Sequence, residues 1–217
     1  MVSYKKIIKK AFPFLLPVFR AGRMYVKNQL TKNNISRIIK DRDEIFLELG
    51  AGNKKGENNW VTVDMEKNCD IFWDLSNGLP FPDQSVAMMY SSHFFEHLSY
   101  NEGQILLDEC LRVLKVDGVF SICVPNASLY IKAYITPENN NKDFSTKLNH
   151  SSILTTEIDY VNYIAYMDGH HKYMFDENNL IHILKEKGFR NVNLREFDQN
   201  IDLKERDYES IYADAIK

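Results

Sequence analysis

Two groups of residues carry the types and spacing that chemistry needs. The first is Glu48-Leu49-Gly50-Ala51-Gly52, which follows the apolar run Ile45-Phe46-Leu47 and precedes a second run, Val61-Thr62-Val63, closing on Asp64. Gly50 and Gly52 let the chain turn tightly and approach a ligand without a Cβ in the way, and an acid at the tip of the next parallel strand accepts from both hydroxyls of a ribose. The spacing predicts a nucleoside-binding turn. It argues against a pyrophosphate site, because Asn53-Lys54-Lys55-Gly56-Glu57-Asn58-Asn59 is too polar and too short for the helix whose N-terminus would hold one.

The second group is Ser92-His93-Phe94-Phe95-Glu96-His97, with a later pair, His170-His171. Histidine is the side chain whose ordinary pKa best suits taking a proton from a hydroxyl near neutral pH. His97 is the first candidate for that base, with Glu96 orienting it or binding the acceptor, and His170 and His171 are the second. A plain structural role as a helix-capping or buried hydrogen-bonding histidine competes with the base for His97, and support of a ligand pocket suits His93. No metal is expected. No two of these histidines have the i, i+4 spacing of one helical face, and adjacent His170 and His171 point apart in most backbones, which weighs against Glu96, His97, His170 and His171 as ligands.

Alternating strand and helix signals must position these groups, the pattern of a parallel sheet with helices on both faces. Strands are expected at Ile45 to Leu49, Trp60 to Val63, Asp70 to Trp73, Ser85 to Ser91, Val119 to Val124, Val192 to Phe197 and Ser210 to Ile216. Ser99 and Glu102 form a capping box for a helix with an apolar face of Ile105, Leu106, Cys110, Val113 and Leu114, after which Asp117-Gly118 turns the chain. Asp176 is the expected N-cap of a helix carrying Leu180, Ile183 and Leu184, with Gly188 as its stop. Between Asn126 and about Gly169 the pattern weakens into an insertion or lid of short helices. Its Tyr130, Tyr134, Tyr160, Tyr163 and Tyr166 suit a packing face or a stack on a sugar.

The 217 residues hold one ordinary domain and an appendage, and the 44% hydrophobic content supports a sizeable core. Cys69, Cys110 and Cys123 lack C-x-x-C spacing, so neither a disulfide framework nor a zinc cluster is indicated and a reducing cytoplasm fits. The net charge of −3 conceals an asymmetry. Through Arg42 there are eleven Lys and Arg against one acid, a balance of +10, which leaves −13 on the rest. Such an arm, residues 1–42, could dock on anionic lipid, bind a phosphorylated substrate, or cover the core through Phe12, Phe14, Leu15, Leu16, Val18 and Phe19. The prolines within that apolar stretch and its short length argue against a signal peptide or a membrane span. An acidic body without a nucleic-acid-binding motif argues against nucleic acid as partner.

Taken in order, the motifs from Ile45 to Asn126 resemble those of class I S-adenosylmethionine-dependent methyltransferases. Glu48 to Gly52 and Asp64 look like the first two. Asp74-Leu75, followed by Gly78-Leu79-Pro80-Phe81-Pro82-Asp83, resembles the adenine-binding stretch. Met88 to Leu98 is similar to the segment that faces methyl donor and acceptor, and Asp117-Gly118-Val119-Phe120 precedes the fifth strand. The resemblance implies a Rossmann-like α/β fold with a seven-stranded, mostly parallel sheet and a terminal antiparallel strand. It implies S-adenosylmethionine as cofactor, bound by Glu48, Gly50, Gly52, Asn53, Lys54, Asp64, Met65, Asp74, Leu75, Ser92 and His93. Asn53 and Lys54 are the candidates for holding the donor carboxylate.

The interval from Glu48 to Asp64 leaves almost no room for a first crossover helix. That shortened turn, with His170 to Asp176 and Tyr208 to Ala215, resembles a subgroup of bacterial surface-polysaccharide methyltransferases. The domain expected is 43–217, with the insertion at about 126–169. The expected reaction is cytoplasmic O-methylation of a surface-glycan precursor or a related phosphorylated or nucleotide-linked intermediate. Peripheral membrane contact through the arm and oligomer formation are compatible with it. A methyltransferase for another small metabolite, on N or O, and a noncatalytic donor-binding scaffold in a glycan-assembly complex are the alternatives.

Overall fold

The computed structural model describes residues 31–136 and 156–217. Most of the basic arm and the polar run Pro137 to Lys142 of the expected lid lie outside the described residues. The chain divides into two compact units, Met1–Asp41 and Arg42–Lys217. Of the first, residues 31–41 are helical. Among the described residues no helix is long and apolar enough to cross a membrane.

The second unit is built on seven strands: β1 (Phe46–Leu49), β2 (Trp60–Asp64), β3 (Ile71–Phe72), β4 (Val86–Ser92), β5 (Leu114–Pro125), β6 (Arg190–Arg195) and β7 (Ser210–Ile216). They lie in the order β3-β2-β1-β4-β5-β7-β6. The pairs from β3 to β5 are parallel, and β7 runs antiparallel to both of its neighbours. Inner strands are covered on both faces, which is why Phe120 to Val124 is apolar except for Ser121 and is buried throughout, the Ser121 hydroxyl accepting from Arg195. The expected Rossmann-like sheet with its terminal antiparallel strand is present.

Residues 50–59, between β1 and β2, contain no helix. Hydrogen bonds from the following strands hold this segment instead. The Asp70 carboxylate accepts from Gly56 N at 2.9 Å and Thr62 N at 3.0 Å. Gly56 is required by close approach, since a Cβ there would lie 2.3 Å from the carbonyl oxygen of Trp60. A helical excursion would forfeit these bonds, so the short crossover is a stabilised structure in its own right.

Among the described residues of this unit there are four α-helices: α1 (Tyr100–Val113), α2 (Ala127–Ile135), α3 (Glu157–Tyr166) and α4 (Glu177–Glu186). The Ser99 and Glu102 capping box forms, with Ser99 N donating to Glu102 Oε2 at 2.7 Å. Replacing Ser99 by alanine should cost about 1 kcal/mol, read as a lower Tm with unchanged circular dichroism below the transition. Asp176 caps α4 by accepting from Asn179 N, and Gly188 leaves the helix at φ +97°. In the expected lid, α2 packs on α3 around Tyr130, Ala133 and Ile164, with Tyr160 and Tyr163 against them. These tyrosines form a packing face, whereas Tyr134 and Tyr166 are exposed.

Several boundaries differ from expectation. The α1 core face carries Leu107, and Ile105 is exposed. The third strand keeps two residues. The fifth begins at Leu114, so Asp117-Gly118 lies inside it: Asp117 adopts φ +60°, and the β4 to β5 register jumps from Val86↔Leu114 to Met88↔Val119. A local bulge there absorbs residues that local signals assign to a turn.

Candidate active site

Parallel strands deliver their carboxyl ends to one edge of the sheet, and connections leave in opposite directions on either side of the β1/β4 pair. In open α/β sheets this reversal leaves a crevice where ligands bind. Glu48, Asp64, Ser92 and His93 stand at or next to strand ends along that edge.

On the β1 and β2 side the turn is tightly bonded. Gly50, at φ +68°, donates its N–H to Val63 O at 3.0 Å. Its missing Cβ makes room for Phe94, whose ring lies 2.2 Å from where that atom would be. Gly52, at φ +67°, donates to Asp64 Oδ2 at 2.8 Å, and nothing stands within 4 Å of its absent Cβ. The open backbone for a ligand therefore belongs to Gly52, while Gly50 serves internal packing. Asp64 Oδ1 accepts from Glu66 N at 3.1 Å. Each carboxylate oxygen retains capacity to accept a further hydroxyl.

Glu48 pairs with Lys54 at 2.6 Å, and burial raises its pKa against the opposing pull of the ammonium. Glu48 and Lys54 line a cleft of about 430 Å³ walled also by Trp60, Tyr90, Asn200 and Ile201. Its walls do not include Gly52, Asp64 or Asp74. Asn53 and Met65 are exposed. Asp74 Oδ1 accepts from both the backbone and the hydroxyl of Ser76, and Leu75 beside it is buried.

At the end of β4, a 3-10 turn over Phe95–His97 brings acid and histidines together. His93 occupies φ +49°, places Nε2 at 2.8 Å from Ser210 Oγ, and is pushed down to about 3 by burial, then by the positive charge of Arg206. Glu96 is 2% exposed, and burial pushes its carboxyl up to about 8. Its Oε1 lies 3.8 Å from His93 Nδ1 and 3.8 Å from His97 Nε2, and its Oε2 has no hydrogen-bond partner.

The segment after α3 folds over this turn. Lys172 N and Tyr173 N both donate to the Glu96 carbonyl, at 2.8 and 3.2 Å. His97 Nδ1 meets the His170 carbonyl at 3.0 Å, and His171 Nδ1 meets the Ile164 carbonyl at 2.8 Å. A carbonyl only accepts, so both Nδ1 atoms carry protons and, in the neutral rings, Nε2 carries the lone pair. Burial also lowers the His171 pKa. The His170 ring is exposed, and that residue contributes its backbone. Thus Glu96, His97 and His171 converge, with a potential ligand atom from each within 4.8 Å of the others. The spacing argument against a metal missed this convergence because one partner arrives from a distant part of the chain. The adjacent pair His170-His171 was its only trace in the sequence.

Residues 41–122 match the family described as a methyltransferase domain. No curated protein matches the chain. Among solved structures, a SAM-dependent methyltransferase from Archaeoglobus fulgidus is 19% identical, with 88% of this chain and 94% of that one covered at a TM-score of 0.50. Phosphoethanolamine N-methyltransferase 2 from Haemonchus contortus, in complex with S-adenosyl-L-methionine, is 11% identical. There 100% of this chain and 60% of that one are covered, again at a TM-score of 0.50. At these identities the two structures speak to the fold. S-Adenosylmethionine fits the chain's own residues, since open backbone at Gly52 and an oriented carboxylate at Asp64 are what its ribose requires. The domain match over residues 41–122, the sheet order and the acidic tip of β2 together mark a methyltransferase domain in this part of the chain, with S-adenosylmethionine as the cofactor that suits it.

Proposed function

We propose that the chain methylates a hydroxyl oxygen on a bacterial surface-glycan precursor or a related phosphorylated or nucleotide-linked intermediate. The observation that carries this reading is the state of His97. Its Nδ1–H is held by the His170 carbonyl, so Nε2 offers a lone pair beside Glu96 at the end of β4. A hydroxyl must shed its proton to become a good nucleophile, whereas an ionised phosphate or carboxylate needs no such partner. The glycan assignment draws on the resemblance of the shortened first crossover and of the His170 to Asp176 and Tyr208 to Ala215 segments.

The donor supplies a methyl group already activated on a sulfonium. The protein's task is then to hold donor and acceptor in line at contact distance, for which fixed strand ends are suited. Asp64 orients the ribose, and the turn after β1 keeps its backbone open at Gly52. Glu96, His97 and His171 face the acceptor, with the segment after α3 closing over them. The same reading places the reaction in the cytoplasm, in keeping with free Cys69, Cys110 and Cys123. It gives the basic arm a docking role on anionic lipid or on a phosphorylated acceptor.

The test is radiolabelled methyl transfer from the donor to pooled nucleotide sugars and lipid-linked glycan intermediates, followed by mild alkaline treatment and mass spectrometry. Label in an alkali-stable methyl ether of a sugar is the expected result. Label confined to amines, or to alkali-labile esters, would exclude hydroxyl methylation.

A further inference from the structure

Glu96 poses a physical problem that the methyltransferase fold does not solve. It is a carboxyl buried to 2% exposure, its Oε2 has no hydrogen-bond partner, and Arg206 acts on it through space only. A buried acid so placed needs a proton or a cation. What surrounds it is suited to a cation. His97 and His171 each give Nδ1–H to a backbone carbonyl. That outer bond is how metal-binding imidazoles are fixed in one tautomer, with Nε2 as the donor atom.

We propose that Glu96, His97 and His171 bind one divalent first-row transition ion of the zinc, cobalt or manganese type, at the acceptor side of the site. Two imidazoles and one carboxylate form a mixed N/O donor set that favours such ions over magnesium or calcium. Ligand bonds of about 2.1 Å allow two donors to stand up to about 4.2 Å apart. The Glu96 to His97 separation of 3.8 Å already meets this, and the widest separation, no more than 4.8 Å, closes with small side-chain rotations. Three protein ligands leave coordination positions open, as catalytic rather than structural sites do. The rigid part of the site is its frame: Lys172 N and Tyr173 N hold the Glu96 carbonyl, so the strand-end turn and the segment bearing His171 are fastened together.

The ion's chemical role rests on the hydroxyl-methylation reading; its binding does not. A hydroxyl coordinated there loses its proton to solvent more readily. Its oxygen lone pair forms the bond to the donor methyl carbon as the carbon–sulfur bond breaks, leaving the methyl ether and S-adenosylhomocysteine. His97 Nε2 would then serve as a ligand, and the proton would go to water.

Untagged full-length protein, stripped with chelator and dialysed against Co²⁺ without donor or acceptor, tests the site by metal analysis and visible absorption. About one equivalent should bind with the spectrum of nitrogen and oxygen ligation. Glu96→Gln, which keeps the side chain's shape, and His171→Ala should each weaken binding at least about tenfold while circular dichroism shows them folded. His182→Ala, on the exposed face of α4, should bind as wild type does. Wild type that takes up no Co²⁺, Zn²⁺ or Mn²⁺, or Glu96→Gln and His171→Ala binding with undiminished affinity, would overturn the proposal. Uptake with no labelled glycan would leave the site standing and remove the acceptor assignment. Full-rate glycan methylation by stripped protein that takes up no ion would do the reverse.

Discussion

Replacing His97 by alanine is expected to lower kcat on the acceptor by about 10²–10⁴-fold, with donor affinity nearly unchanged. The size follows from what the substitution removes. In wild type, Nε2 carries its lone pair 3.8 Å from Glu96 Oε1, and the ring is held there by one hydrogen bond to a backbone carbonyl. Alanine removes the group that assists departure of the hydroxyl proton, whether the imidazole accepts that proton or ligates the ion that acidifies the hydroxyl. Asp64, the proposed partner of the donor's ribose, stands on another strand and is untouched by the substitution. Steady-state kinetics together with calorimetric titration of S-adenosylhomocysteine separate the two effects. Near-normal turnover by His97→Ala on the true acceptor would mean that the acceptor arrives ionised and that proximity alone suffices.

Asp64→Ala should weaken donor binding by about 1.5–3 kcal/mol, the range for hydrogen bonds to a charged group. That corresponds to roughly 10- to 150-fold in Kd. Asp64 also accepts from Gly52 N and Glu66 N, so alanine loosens the turn as well as removing the ribose partner. Asp64→Asn retains one acceptor oxygen for the turn and should lose less. Calorimetry with S-adenosylhomocysteine and a thermal melt without ligand distinguish the contributions. An unchanged affinity in both variants would remove Asp64 from the donor site, and a lowered Tm with unchanged affinity would confine it to the turn.

The β1–β2 turn was legible because its signals are local. The strand, the two glycines, the second strand and Asp64 follow one another closely, and the glycines' positive φ values and the bond from Gly52 to Asp64 are consequences of that short loop. The caps at Ser99 and Asp176 were legible for the same reason, since each closes on a backbone N–H within one helical turn. Even the missing crossover helix could be read from the length and polarity of residues 50–59.

Other features depended on partners distant in the chain. Gly50 looks like a ligand-facing glycine beside Gly52, yet Phe94 fills the space at its missing Cβ. Asp117-Gly118 reads as a turn by residue type, and pairing with β4 carries the strand through it as a bulge. His97 and the carbonyl of His170 are separated by 73 positions, and no periodicity relates them. Sequence by itself determined the succession of strands and helices along the chain, the glycine turn after β1 and the acid at the tip of β2, because those follow from chain geometry and hydrogen bonds within a few residues. Only the tertiary structure decided which glycine stays open, and brought Glu96, His97 and His171 to one point. Burial of a carboxyl and the fixing of an imidazole tautomer are properties of packed neighbours, and packing brings together residues that no spacing rule connects.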